Sequence, residues 1–224
     1  MILSLIAQQP MLLVVWLAAI LISLTVHEFS HAWMANMKGD KTAELAGRLT
    51  LNPLAHIDWM GMLLLVTFGF GWAKPVPFNP YNLKDPKIDA LWIALAGPIS
   101  NLVMATLAAT VLRGLLTAGM FAQVDMLFAF LVLLIIINLF LMFFNLIPIY
   151  PLDGSKILDA ILIKPEHQKI KIQIMTYGPR VLFGLVILSI VTSFNIFFFV
   201  SAPSYGVCSA LVGQNCQYLL ALIF

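Results

Sequence analysis

The sequence predicts an all-α polytopic membrane protein with a three-span core, at least one further span, and a re-entrant or hairpin element at about residues 60–80. Of the 224 residues, 62% are hydrophobic and 10% are charged, and the mean hydropathy is +1.00. Soluble domains carry about 25% charged residues. The apolar runs are also long and continuous, which is typical of spanning helices rather than of alternating barrel strands. We expect one membrane-embedded domain over residues 1–224, and nothing in the sequence indicates nucleic-acid binding.

The predicted spans lie at about residues 11–37, 90–112, 126–147 and 181–200. Pro10 suits the first turn of the first helix, and Gly97-Pro98 interrupts the second span. The domain core is expected at about 11–160, with a C-terminal span and tail at 175–224. The uncharged end of the tail, residues 206–224, either crosses the membrane weakly or lies at an interface.

Between the first two spans lies an apolar stretch, residues 60–70, that is too short to cross a bilayer. Glycines and prolines follow it and are unsuitable for a helix interior. Such a segment suits an element that enters the membrane and returns, packed on protein or lining a wet cavity.

Lysine and arginine are distributed unevenly between the loops. Of the 12 basic residues, only Arg113 falls between the second and third spans, and none lies in either terminal region. The positive-inside rule therefore places the other two connections in the cytoplasm and the N-terminus outside. We expect a multi-pass protein of the cell membrane.

The first span contains the sequence His27-Glu28-Phe29-Ser30-His31, and Glu28 is the only charged residue before Lys38. On a helix, His27 and His31 project from nearly the same side and can share one metal ion. Glu28 lies close enough to hold an attacking water, as in zinc-dependent hydrolases. An acidic side chain within a span costs roughly 3 kcal/mol, which favours a functional role over an accidental match.

A third metal ligand is expected at Asp153, which follows the third span on the same membrane face as the two histidines. Two histidines and one carboxylate, with one position left to water, are typical of a catalytic zinc site. Other divalent ions are compatible with this set. The alternative for Asp153 is an ordinary turn that caps the next helix.

The order of these motifs resembles the site-2 protease family of intramembrane zinc metalloproteases. The histidine motif is followed by Asn145-x-x-Pro-x-x-Pro-Leu-Asp153-Gly, and residues 47–53 and 96–101 also look like segments of compact bacterial-type members. The resemblance covers about residues 20–160. It implies that His27, His31 and Asp153 bind one Zn²⁺, that Glu28 is the base, and that the substrate is a membrane-spanning segment. The PDZ and CBS domains of some relatives are not recognised in this sequence.

Three further polar residues have two interpretations each. Asn101 either donates to the oxyanion of the tetrahedral intermediate or makes a helix–helix hydrogen bond. Asn145 is expected to fix the loop that holds Asp153 rather than to act directly in catalysis. His56 is expected in a surface loop, with a role as an extra metal ligand as the alternative.

Cys208 and Cys216 lie in the tail, on the side opposite to the expected metal site. Their spacing permits a disulfide in an oxidising compartment, and two free buried thiols are the alternative.

The expected function is an intramembrane zinc endopeptidase that cuts single-span membrane proteins near the cytoplasmic side. Because a helical substrate must unwind first, an edge near residues 63–70 or 76–78 is one interpretation of this segment, and it would pair with the substrate. The alternative for this segment is a re-entrant loop that only plugs the cavity. The alternative function is a divalent-metal transporter or permease using the same residues. A transporter would favour ligands distributed along a path, whereas this sequence clusters them at one end. The sequence does not indicate an oligomeric state.

Overall fold

The computed structural model describes residues 9–120, 125–162, 167–192 and 195–223, and no β-strand occurs within these ranges. In chain order the helices are α1 (Pro10–Met37), α2 (Thr42–Leu45), α3 (Trp59–Phe68), α4 (Pro86–Thr117), α5 (Met126–Asn145), α6 (Asp153–Ile161), α7 (Gln168–Thr192), α8 (Phe198–Val212) and α9 (Cys216–Ala221). By length and composition, α1, α4, α5 and α7 can cross a membrane. The predicted all-α polytopic fold is confirmed.

Aspartates mark the starts of three helices. Asp58, Asp85 and Asp125 directly precede α3, α4 and α5, and each carboxylate accepts hydrogen bonds from N–H groups of the first turn. Such caps satisfy donors that have no partner inside the helix. The short polar interruptions in an apolar sequence therefore set where these helices begin.

The centre of the molecule is a bundle in which α1, α4 and α5 pack against one another and α8 packs on α4 and α5. Alanines line much of this contact, including Ala19 on α1 and Ala105 and Ala109 on α4, all of which are buried with Ile135 and Leu139 of α5. Small side chains let helix backbones approach closely where lipid offers no hydrophobic driving force.

The boundaries predicted for the fourth span, residues 181–200, are wrong, because α7 already ends at Thr192 and α8 begins only at Phe198. The Phe197 ring lies 5.6 Å from that of Phe144, and the Tyr205 ring lies 5.7 Å from that of Phe140, so α8 runs antiparallel to α5. Since the chain from Thr192 to Phe197 spans at most about 18 Å, α7 stops short of the opposite end of the bundle. The helix that carries the chain to that end is α8.

The tail packs into the bundle. Val212, Cys216 and Leu219 belong to the same buried core as α5, and Cys208 and Cys216 are joined by a disulfide. Of the two interpretations of the cysteines, the structure shows the disulfide and not the two free thiols.

The segment between α1 and α4 forms the expected hairpin element. Gly69, with φ of +77°, ends α3 and reverses the chain. The returning residues pass so close to α3 that a Cβ on Gly61 would overlap the Trp72 carbonyl. An isolated antiparallel bridge between Ile57 and Ala73 closes the base of this hairpin.

The edge interpretation is wrong at residues 63–70, because α3 occupies most of that segment. Residues 76–78 lie outside any helix and form no strand within the described parts of the chain. A short apolar run does not distinguish a helix from a strand by periodicity alone, and here the run is helical.

Candidate metal centre

His27, His31 and Asp153 meet at one point inside the bundle. The two histidine Nε2 atoms are 3.0 Å apart, and Asp153 Oδ2 lies 3.3 Å from each of them. Helical spacing on α1 aligns the two rings, whereas Asp153 arrives from the first turn of α6. The structure therefore brings together the three residues that the sequence predicted as ligands.

These distances fit a zinc ion. Tetrahedral zinc with ligand bonds of 2.0–2.1 Å holds neighbouring ligand atoms roughly 3.3 Å apart. Asp153 Oδ2 is buried and has no hydrogen-bond partner in the structure, which is costly unless another group satisfies it. A cation between this oxygen and the two nitrogens would satisfy all three atoms.

The backbone of α4 passes directly beside the two rings at Gly97. A Cβ added there would lie 2.6 Å from His27 Cε1 and would overlap the imidazole of His31. The glycine at the Gly97-Pro98 break thus leaves the space in which both histidines can meet Asp153. A second close approach occurs at Gly154, where a Cβ would overlap the carbonyls that end α5.

Both histidines are held through their Nδ1 atoms. His31 Nδ1 donates to the Ile93 carbonyl at 2.7 Å, and His27 Nδ1 lies 2.6 Å from Asn101 Oδ1. In this arrangement each ring directs Nε2 towards the shared centre. Partners of this kind normally orient metal-binding imidazoles.

Asn101 makes the helix–helix hydrogen bond that was one of its two interpretations. Its Nδ2 donates to Asn138 Oδ1 at 2.7 Å, and Asn138 Nδ2 donates to Ser23 Oγ at 2.8 Å and to the Leu134 carbonyl at 2.7 Å. The oxyanion role of Asn101 stays a prediction. Sequence reasoning missed Asn138 and Ser23, although an amide in the most apolar span is itself a signal of function.

The hydrogen bonds described for Asn145 and His56 go to backbone carbonyls and to Arg48 rather than to the three-residue cluster. Asn145 Nδ2 donates to the Leu141 carbonyl of its own helix, so its expected role in holding the Asp153 loop stays a prediction. His56 is only 2% exposed, and the expectation of a surface histidine is wrong. Its Nε2 donates to the Thr50 carbonyl at 2.8 Å, and the cluster of potential ligands does not include it.

Arg48 is buried beside His56. Its guanidinium donates to the carbonyls of Lys74 and Pro75 and lies 3.4 Å from His56 Nδ1. Burial lowers the pKa of Arg48, and the charge of the Glu28 carboxylate opposes that shift. The arginine therefore joins the returning arm of the hairpin element to the loop that carries His56.

A buried histidine–carboxylate centre within a bundle of spanning helices is the arrangement of membrane-embedded zinc metalloproteases. The chain belongs to peptidase family M50, whose model matches residues 15–123 and 114–191. This finding confirms the resemblance to site-2 proteases that the motifs had indicated.

Curated relatives agree with this assignment. The protein named "Putative zinc metalloprotease YwhC" from Bacillus subtilis is 39% identical over 166 residues, covering 71% of this chain and 74% of the relative. "Putative zinc metalloprotease Rip2" from Mycolicibacterium smegmatis is 30% identical and covers 82% of this chain and 69% of its own length. "Zinc metalloprotease MJ0392" from Methanocaldococcus jannaschii is 28% identical over 64% of this chain and 33% of its own length. No solved structure matches the chain.

The protein is therefore a protease with zinc as its cofactor, and the geometry of the His-His-Asp cluster agrees with that metal. The metal-transporter alternative is not favoured, since the family and the relatives are metalloproteases.

Proposed function

We propose that the protein is an intramembrane endopeptidase that cuts the spanning segments of single-span membrane proteins near the cytoplasmic side. The observation that carries this proposal is the burial of the His-His-Asp cluster between helices of membrane-spanning length. His27 and His31 are 3% and 7% exposed. A peptide bond that reaches them must come to the same depth, which suits a substrate that is itself embedded in the bilayer.

The proposed orientation rests on charge and on the disulfide. The basic residues favour a cytoplasmic location for the end of the bundle that holds the metal centre. At the opposite end, a Cβ added to Gly213 would lie 3.6 Å from the guanidinium carbon of Arg113, and Gly213 itself lies between the helices that Cys208 and Cys216 join. Disulfides persist in oxidising compartments, which supports an outer location for this end and for the N-terminus.

The mechanism assigns one role to each residue of the centre. His27, His31 and Asp153 would hold zinc, which when bound would act as a Lewis acid that polarises a peptide carbonyl and lowers the pKa of water. Glu28, adjacent to His27 on α1, takes the proton of the attacking water and passes it to the leaving amine. The buried Arg48 guanidinium attracts the Glu28 carboxylate and supports its position.

The test is the substitution Glu28→Gln in purified protein with a single-span model substrate in proteoliposomes. The variant should keep zinc at the wild-type ratio, because the three ligand atoms are unchanged. Cleavage should fall by about 10²-fold or more, since the proton acceptor is lost.

Asp153→Ala serves as the comparison, because it removes a ligand and should lose both zinc and cleavage. Wild-type cleavage by Glu28→Gln would refute the assigned base. Cleavage of soluble peptides but not of the embedded substrate would refute the substrate class.

A further inference from the structure

A chain of hydrogen bonds between polar side chains leads from the metal centre into the middle of the bundle. It consists of His27, Asn101, Asn138 and Ser23, which come from three helices and are at most 3% exposed. We call these four residues the amide chain. Its far end rests on two backbone carbonyls, those of Leu134 and Ala19.

The carbonyl of Leu134 fixes the direction of every bond in the amide chain. A carbonyl oxygen only accepts, so the Asn138 atom 2.7 Å from it is the amino nitrogen. The same nitrogen reaches Ser23 Oγ, whose hydroxyl donates in turn to the Ala19 carbonyl at 2.7 Å. The amide oxygen of Asn138 is therefore the atom that faces Asn101.

The direction continues to the metal ligand. Because Asn138 presents its oxygen, Asn101 must present its amino group to it and turn its own oxygen towards His27. That oxygen also only accepts, so the proton of a neutral His27 lies on Nδ1. Nε2 then carries a lone pair directed at Asp153 and His31, as a metal ligand requires.

We propose that Asn138 is a positioning residue for zinc, which fixes the Asn101 amide so that His27 presents an unprotonated Nε2 to the metal. The inference rests on the proposed function for the role of His27 as a ligand. Its tests measure the position of the His27 proton and the affinity for zinc. Their outcome therefore does not depend on which substrate the protein cleaves.

The two histidines differ in this respect. His31 donates to the Ile93 carbonyl, which belongs to the backbone of α4 and has no second orientation. The partner of His27 is a side-chain amide, which can rotate by half a turn and offer a donor where it had offered an acceptor. His27 therefore needs Asn138 to exclude that rotation, and His31 needs no such residue.

The first experiment uses Asn138→Leu, which keeps the approximate side-chain volume and removes both hydrogen-bonding groups. In zinc-free protein, at a pH high enough for the imidazoles to be neutral, nitrogen NMR of labelled histidine should show His27 protonated at Nδ1 in the wild type. In the variant a fraction should be protonated at Nε2. Zinc affinity, measured by competition with a chelator, should fall about 10- to 100-fold.

Thr106→Val is the matched control, because Thr106 lies on an exposed face of α4 and its hydroxyl donates to the Leu102 carbonyl of the same helix. This variant should leave the proton position of His27 and the zinc affinity unchanged. An equal loss of affinity in both variants would overturn the proposal.

The second experiment adds Asn101→Asp to Asn138→Leu. An ionised carboxylate has no donor to offer after rotation, so it holds the proton of His27 on Nδ1 without help from Asn138. The double variant should recover most of the zinc affinity.

Failure of the double variant to recover would mean that Asn138 acts through packing, which contradicts the proposal. The proposal would also be contradicted if His27 of the wild type were protonated at Nε2, or if the Asn138→Leu variant bound zinc with wild-type affinity. If Asn138→Leu does not fold, Asn138→Ser keeps a polar group too short to reach Asn101 and carries the same expectations.

Discussion

The protein contains two buried polar clusters that use different chemistry. The amide chain lies between α1, α4 and α5 and consists of amide, hydroxyl and imidazole groups, each of which has a partner. The second cluster, which we call the loop clamp, consists of Arg48 and His56 together with the carbonyls of Thr50, Lys74 and Pro75. It contains the positive charge of Arg48, a residue that is only 4% exposed, and Arg48 Nε has no hydrogen-bond partner among the described residues.

The difference shows how position decides which polar groups a membrane protein can bury. Between spanning helices a charge is expensive, and an unsatisfied polar group is expensive as well. Neutral amides and hydroxyls that satisfy one another avoid both costs and have a defined direction. In the loops, backbone carbonyls can surround a guanidinium, and its charge is available to Glu28. We therefore expect the amide chain to control metal geometry and the loop clamp to control the hairpin element.

The largest expected effect comes from overfilling the region where the amide chain meets the metal centre. Gly97→Ala would drive a methyl group into both histidine rings, so zinc binding should fall by more than about 100-fold. Metal content after purification measures this. Gly114→Ala on the same helix is the control, since a Cβ there meets nothing within 4 Å and alanine is the better helix former. Full zinc occupancy in Gly97→Ala would contradict the assigned geometry.

A smaller effect is expected from the loop clamp. Arg48→Met removes the charge and the two hydrogen bonds that the guanidinium donates to the carbonyls of Lys74 and Pro75. Zinc content should stay near wild type while cleavage falls about 10-fold or more, and limited proteolysis near residues 59–75 should accelerate. Lys41→Met, at an exposed position of the same connection, should change neither. Loss of zinc in Arg48→Met would mean that the two clusters are not separate in function.

The smallest expected effect concerns Asp40, which fastens the loop after α1. Burial acts to raise its pKa, but hydrogen bonds from Thr42, Asn82 and Asn79 outweigh burial and hold the pKa below its usual value. A depressed pKa stabilises the fold above the unfolded-state value near 4, and that contribution is lost as the pH falls through the folded value. Asp40→Asn should therefore be less stable by about 1 kcal/mol at pH 7.

The measurement for Asp40→Asn is thermal unfolding between pH 3 and 7 in detergent. The difference between the two proteins should shrink as the medium becomes acidic. A constant difference across this range would show that the carboxylate charge has no part in fastening the loop.

Sequence reasoning was most accurate where the chemistry is local or the pattern is long. Helical spacing alone aligns His27 with His31, and sustained hydropathy predicted α1, α4 and α5 close to their observed bounds. The prediction for His56 was wrong. Asn52 and Pro53 precede this histidine, and such residues are typical of an exposed loop. That histidine is buried because Arg48 and the returning arm of the hairpin element pack over it, and these contacts join segments that are distant in sequence.

The sequence by itself determined the membrane class, the motif-bearing helix and the residues able to bind zinc, because these depend on composition and on spacing within one element. Tertiary structure decided which side chains orient those ligands. Asn138 and Ser23 contact the centre only through the rotation and depth at which α1, α4 and α5 pack together. A hydropathy pattern does not encode those two quantities, because an asparagine in an apolar span contributes the same hydropathy whichever neighbour its side of the helix faces.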